Sequence, residues 1–309
     1  VFTHASTSPN QQLIASLDIA RRQMELEGYG LVANAIEISL SIRNSVNNHP
    51  EISKYFKILG ADQMIPKEFR ESGFEDFLVA GVSWKDQVQS MHDDEFCLDP
   101  TRMTLVCGTA GYDGTEFKKL LADEYSIQLN KTSRNSVLLQ SNINNTRSDI
   151  AHLVHVLLEI THKIERRLAS SGDVGRAAFA ARVKTLMEDV PDLPNFSHFH
   201  EGFRKDAGKK TPEGDMRTAF FGAYYPDGCE YVGLNSEECD KRLKKGPEMI
   251  SANFVIPYPP GFPIMVPGQV ITQETVDFMR KLDVKEIHGY EKDRGLKLIR
   301  PEFAKKKAG

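Results

Sequence analysis

The chain has 309 residues, with 39 Lys and Arg against 43 Asp and Glu, a formal net charge of −4, 40% hydrophobic residues and 27% charged ones. That length exceeds a single hydrophobic core and predicts two or three domains of an ordinary globular protein. The mild negative charge gives no basis for nucleic-acid or anionic-membrane binding. No apolar run reaches the length of a membrane span, and no signal-peptide pattern opens the chain.

Cys97, Cys107, Cys229 and Cys239 form no CxxC pair and no Cys/His metal spacing. They read as the reduced thiols of a cytosolic protein. The chain opens Val1-Phe2-Thr3-His4 without an initiator methionine, which reads as a cut through a larger protein.

In chain order, Ser8 suits a helix N-cap and Pro9 the first helical position. Leu13, Ile14, Leu17 and Ile19 to Met24 then predict a helix ending near Gly28 and Gly30. Thr7 and Ser8 therefore stand at a helix N-terminus, where free N–H groups and the dipole favour an anion, phosphate above all. Simple capping accounts for the same pattern. A second helix is predicted from Leu31 to Asn47, closed by His49-Pro50. Tyr55 to Val88 reads as loops and brief strands, including Phe77 to Val82. Met103 to Cys107 reads as a core strand after the turn Leu98-Asp99-Pro100. Gly108 to Gly114 lacks the Gly-Lys-Ser/Thr of a phosphate loop. Phe117 to Tyr125 reads as a helix, and Ile127 to Leu129 and Val137 to Gln140 as strands flanking the polar loop Lys131 to Ser136. Ile150, Leu153, Leu157, Ile160 and Ile164 mark a long helix from Ser148 to Ala169. This order predicts an α+β class, a sheet with helices on one side.

Ser170-Ser171-Gly172 begins a more irregular region in which Phe220 to Tyr225 reads as buried. The β-prone run Ile250 to Ile256 enters a proline strap, Pro257 to Gly268, which cannot be helical. Its Phe262, Ile264, Met265 and Val266 read as a plug pressed on a core. A short helix from Thr275 to Leu282, a hairpin over Gly289 to Leu298 and a solvated tail at Lys305 to Lys307 complete the chain.

His198, His200 and Glu201 lack a third ligand at useful spacing and read as a loop cluster, not a metal site. Thr161-His162-Lys163 contains the His-Lys pair found beside cofactor-binding lysines. Lys163 falls off the apolar stripe, however, where an amine stays hydrated with an ordinary pKa, whereas a Schiff-base lysine is partly desolvated. It reads as a decoy.

Two motifs, His4-Ala5-Ser6-Thr7-Ser8-Pro9 and Ile256-Pro257-Tyr258-Pro259-Pro260-Gly261 with Pro267-Gly268, resemble in order and separation the bacterial-type ornithine/lysine/arginine decarboxylases. Leu98-Asp99-Pro100, Asp113-Gly114-Thr115, Lys131-Thr132 and Ile287-His288-Gly289-Tyr290 add to the resemblance, which spans nearly the whole chain. It implies a pyridoxal 5'-phosphate enzyme of the aspartate-aminotransferase fold. Residues 1–28 would end the cofactor-binding large domain at a dimer interface, 29–171 would form an aminotransferase-like small domain, and 172–309 an α+β decarboxylase C-terminal domain. The activity implied is decarboxylation of a basic L-amino acid (arginine, lysine or ornithine) by a cytoplasmic homodimer with shared active sites, or a higher oligomer. A non-catalytic paralogue or truncated product serving as a dimerisation or regulatory partner is the alternative.

The same resemblance implies that Thr7, with Ser8 beside it, reaches the phosphate of the neighbouring subunit's cofactor. The cofactor-binding lysine would lie upstream of Val1, so no catalytic residue is expected in this chain, and the chain alone is expected to be inactive. Arg134, in a polar loop between two strands, is the candidate clamp for the substrate carboxylate, its alternative being a surface arginine. Asp215 and Glu230 are candidates for the cationic tail of the substrate. Gln269 departs from the glutamate that many relatives carry after Pro-Gly.

Overall fold

The computed structural model describes residues 8–79, 81–189, 192–195, 198–204, 214–225, 227–258, 261–282 and 286–308. Its first element is one 37-residue helix, α1 (Gln11–Asn47), where two were expected. A glycine inside a helix costs only about 1 kcal/mol against alanine, and the side chain of Met24 covers Gly28, so the helix runs through. Its N-cap is Asn10 and not Ser8: Asn10 Oδ1 accepts from Gln12 N at 3.0 Å and Leu13 N at 3.2 Å. Asn caps as well as Ser does.

Contacts divide the chain into two units, Val1–Met187 and Glu188–Gly309. In the first, α1 is followed by β1 (Lys57–Ile58), α2 (Ala61–Met64), α3 (Trp84–Ser90), β2 (Arg102–Val106), α4 (Gly114–Tyr125), β3 (Lys131–Thr132), β4 (Ser136–Gln140), α5 (Arg147–Ser170) and α6 (Gly172–Met187). The strands form one antiparallel sheet in the order β1-β2-β4-β3. Met103 pairs with Leu139 and Leu105 with Val137, so these four side chains share a face. They form one core with Ile38, Ile42 and Val46 of α1, Phe117 and Leu121 of α4, and Leu157, Ile160 and Ile164 of α5.

Three local expectations differ from the structure. The described residues of Phe77 to Val82 form no strand: Phe77 packs edge-on to Phe74 at 4.8 Å and Gly81 turns the chain at φ +78°. Ile127 to Leu129 is also not a strand. Helix α4 ends with Ser126 in the left-handed region, and Ile127 N is spent on Leu121 O, so pairing begins only at Lys131. Helix α6 was not foreseen. Its apolar residues make no clean stripe, and Val174 is 84% exposed.

The second unit contains α7 (Met216–Gly222), β5 (Cys229–Val232), α8 (Glu237–Lys245), β6 (Ile250–Ser251), β7 (Ile256–Tyr258), α9 (Gln273–Lys281), β8 (Glu286–His288), β9 (Tyr290–Glu291), β10 (Gly295–Ile299) and α10 (Pro301–Ala308). Strand β10 is the centre of a sheet ordered β5-β10-β6, with β9 folded back on it as the expected hairpin, while β7 pairs with β8. Both units are mixed α+β with small sheets.

The proline strap closes against its own approach: Val255 N donates to Met265 O at 3.0 Å and Ile264 N to Val255 O at 2.9 Å. Ile264 and Met265 are fully buried, as a plug requires, but Phe262 points outward. Pro259 and Pro260 lie outside the described residues. Phe221, Tyr224 and Tyr225, expected inside, are 55%, 70% and 59% exposed; the small residues Ala219 and Ala223 of the same stretch fill the core instead. Lys305 to Lys307, expected as a solvated tail, belong to α10.

Candidate functional site

At the start of α1, Ser8 is exposed and Thr7 lies outside the described residues. Asn10 occupies two of the first-turn amides with its side chain, which leaves Asn10 N and Gln11 N without a hydrogen bond among the described residues. A bound phosphate gathers several donors. The described residues here supply two backbone amides beside Ser8, which is part of a phosphate site and not the whole of one. Every residue from 8 to 27 is exposed, including Leu13, Ile14, Leu17 and Ile19.

Arg134 sits where β3 turns into β4, in a loop that ties three elements together. Its carbonyl accepts from Gly114 N at 3.2 Å, and the carbonyl of Asn135 accepts from Cys107 N and Gly108 N, both at 2.9 Å. The Arg134 guanidinium donates through Nη2 to Thr185 O at 3.1 Å, and Asn135 Nδ2 reaches Leu186 O at 3.4 Å. Arg134 and Asn135 therefore satisfy two of the last carbonyls of α6, which have no partner within the helix. Arg134 Nε is buried without a partner, and Nη1 makes no hydrogen bond among the described residues. The contacts of Arg134 run to α6, while Ser8 belongs to the start of α1. Gly114 permits the packing, because a Cβ there would stand 2.1 Å from Ser133 O. On the same side, Arg182 of α6 pairs with Glu116 at 2.9 Å and Asp113 at 3.4 Å, the two residues that box the N-terminus of α4.

Lys163 does not have the ordinary pKa expected of it. Its Nζ lies 2.8 Å from Tyr125 Oη and 3.2 Å from each of Glu124 and Glu159, and these hydrogen bonds hold the ammonium above its usual range. A nucleophilic amine needs the opposite shift. His200 Nδ1 accepts from Gly202 N at 3.1 Å. Among the described residues no three His, Cys, Asp or Glu side chains gather as a metal site.

The two carboxylates considered for a cationic tail are both engaged. Asp215 caps α7 by accepting from Thr218 N and Oγ1, and Glu230 pairs with the buried Arg242 at 2.7 Å. Gln269 is buried; its Oε1 closes a turn on Val266 N at 3.1 Å, and its Nε2 has no partner among the described residues. All four cysteines are free thiols, with Cys97 exposed and Cys107 and Cys239 buried. Burial pushes the Cys107 thiol well above its usual range, so it is unreactive. Among the described residues no helix is long and apolar enough to cross a membrane.

Residues 1–149 match the family model described as Orn/Lys/Arg decarboxylase, major domain, and residues 230–295 that described as Orn/Lys/Arg decarboxylase, C-terminal domain. An arginine decarboxylase of Bacillus anthracis is 23% identical over 276 residues, covering 89% of this chain and 41% of the relative. The constitutive lysine decarboxylase of Escherichia coli K12 is 24% identical over 310 residues, covering 90% of this chain and 40% of its own length. Among solved structures, the lysine decarboxylase LdcF of Francisella novicida superposes with a TM-score of 0.62 at 20% identity, over 97% of this chain and 44% of that one. At that identity the structural likeness is one of fold. The chain spans 41% and 40% of the lengths of these two curated relatives.

Proposed function

We propose, because this chain belongs to the Orn/Lys/Arg decarboxylase family, that it is the C-terminal part of a pyridoxal 5'-phosphate-dependent decarboxylase of a basic L-amino acid. The observation that carries this reading is the match of two domain models of one family, in chain order, to residues 1–149 and 230–295. Arginine, lysine and ornithine remain the substrate class. The cofactor, when bound, supplies an electron sink for the pair left on Cα as carbon dioxide departs.

The residues of this chain bind and orient. Ser8, with Gln11 N–H and with Thr7 before it, donates to a phosphate oxygen, and other parts of the assembly complete the site. Arg134, fixed through Nη2 on Thr185 O and with Nε buried, turns Nη1 to the substrate carboxylate. Lys163, held protonated by its hydrogen bonds to Tyr125, Glu159 and Glu124, takes no part, and the amine that binds the cofactor is supplied from outside these residues. The exposed apolar stretch from Leu13 to Ile19 is part of a homodimer interface that brings Ser8 to the neighbouring subunit's site. The domain division proposed is 1–28, 29–187 and 188–309, the boundary expected at 171 moving to Met187 because α6 packs with the first unit, and the protein works in the cytoplasm, where its thiols stay reduced.

The test is to supply the intact protein with pyridoxal 5'-phosphate and each of L-arginine, L-lysine and L-ornithine. Carbon dioxide and the matching amine are expected from at least one of them. A folded, dimeric protein that releases neither from any of the three would overturn the proposal in favour of a non-catalytic partner.

A further inference from the structure

Unit one contains a cavity of about 310 Å³ between α1, the ends of β2 and β4, and the first turns of α5. Ligand sites begin at about that size. Its floor is apolar, formed by the nearly buried side chains of Ile38, Ile42, Met103, Leu139 and Leu153. Its rim is polar and rich in acceptors. Asn130 Nδ2 donates to Gln140 Oε1 at 3.2 Å, which leaves Asn130 Oδ1 free to accept. His152 Nε2 lies 3.1 Å from Tyr125 O. A carbonyl can only accept, so that nitrogen carries a proton.

Asp149 decides the sign of the site. Its Oδ2 takes all of the capping bonds at the head of α5, from Thr146 N at 2.8 Å, Thr146 Oγ1 at 3.2 Å and Asn145 Nδ2 at 3.4 Å. Its Oδ1 accepts nothing among the described residues. The bond from Thr146 N, ahead of that from Asn145, holds this exposed carboxyl below its ordinary range. Among the described residues no Lys or Arg lines the cavity. One ionised carboxylate with a free oxygen, amide acceptors and an oily floor complement a cation on an alkyl stem.

We infer that this cavity binds an aliphatic amine cation, the stem lying on Ile38, Met103 and Leu139 and the ammonium meeting Asp149 Oδ1 and the amide oxygens of the rim. The positive end of α5 subtracts from the attraction, so the expected affinity is millimolar. Binding does not depend on the decarboxylase reading. Its meaning as a product site does rest on that reading, since such an enzyme releases an amine of this class.

The experiment titrates the intact protein, labelled at isoleucine and methionine methyls, with pentane-1,5-diamine, and uses pentan-1-ol and pentanoate as controls. The Ile38 and Met103 methyls are expected to shift saturably with the diamine and to show about tenfold weaker binding of either control. Asp149→Asn keeps the cap, because an amide oxygen still accepts from Thr146 N, and should weaken diamine binding about threefold, the worth of an exposed ion pair. Unmoved methyls, pentan-1-ol binding as tightly as the diamine, or an unchanged Asp149→Asn variant would each overturn the inference. Carbon dioxide release is scored separately. Shifted methyls without turnover keep the amine site and remove the proposed function, and turnover without shifts does the reverse.

Discussion

Arg43→Met tests how the first unit tolerates a buried charge. Arg43 is 0% exposed, and its guanidinium joins α1 to both sides of β1 and β2, with Nη1 donating to Leu59 O at 2.9 Å and Nη2 to Arg102 O at 3.1 Å. Burial pulls the guanidinium below its ordinary range, with Asp76 and Asp99 opposing. Methionine retains the apolar stem but leaves two carbonyls without donors. At about 1–3 kcal/mol each, the lost donors cost roughly 4 kcal/mol together. Release from holding a buried charge returns on the order of 2 kcal/mol. The expected net loss is therefore about 2 kcal/mol. Urea unfolding followed by Trp84, the single tryptophan, should show a lower midpoint with an unchanged slope. The loss should persist in high salt, because it comes from buried hydrogen bonds and not from screened charges. A variant as stable as the parent, or more so, would show that the two carbonyls find other partners and that Arg43 is tolerated and not required.

Gly114→Ala is expected to destabilise by at least roughly 1–3 kcal/mol, because the new methyl would meet the backbone oxygens of Ser133 and Ser136, neither of which is a flexible side-chain end. An unchanged denaturation midpoint would contradict the packing of the Arg134 loop on α4. Tyr55 is pushed up from 10.0 to about 12, first by burial and then by its hydrogen bond to Glu165 at 2.9 Å. The folded state thus holds that proton more tightly than the unfolded chain does. The stabilisation is complete below pH 10 and is lost as pH rises towards about 12. Tyr55→Phe should flatten the alkaline loss of stability in that window, and a stability–pH curve parallel to the parent's would refute the assignment.

Where local periodicity and tertiary burial agree, the fold was legible. Helix α5 was expected within a residue of its ends, and strands β2 and β4 nearly so, because each presents one apolar face to a single core. Misjudged elements are those in which a backbone group was settled by a contact that spacing does not show. Gly28 of α1 is covered by Met24 and does not break the helix, and Ile127 fails to start a strand because its amide caps α4. In the stretch from Phe220 to Tyr225 the aromatic residues suggested burial, yet the turn of α7 gives the core to Ala219 and Ala223. Helix α6 was illegible for a different reason. It makes few buried contacts of its own, and it is fastened by Arg134, Asn135 and Arg182, partners more than 50 residues earlier in the chain for the first two.

The candidate site was less legible than the family, and the proline strap explains why. Pro267 and Gly268 serve geometry: Gly268 holds φ +89°, and a Cβ there would stand 3.1 Å from the Cβ atoms of Ala219 and Phe203. Gln269 closes the same turn through its side-chain oxygen. Such a demand leaves a specific trace in the sequence, because few residues satisfy it. A phosphate donor or a carboxylate clamp leaves almost none. Ser8 could be any capping serine, and Arg134 acquires its setting only when α6, 51 residues further on, delivers Thr185 O to it. The strap residues that help to identify the family are thus packing residues, whereas Ser8 and Arg134 are chemically ordinary until the chain has folded. Substitutions in the strap should for that reason report on stability, and substitution of Arg134 on substrate binding.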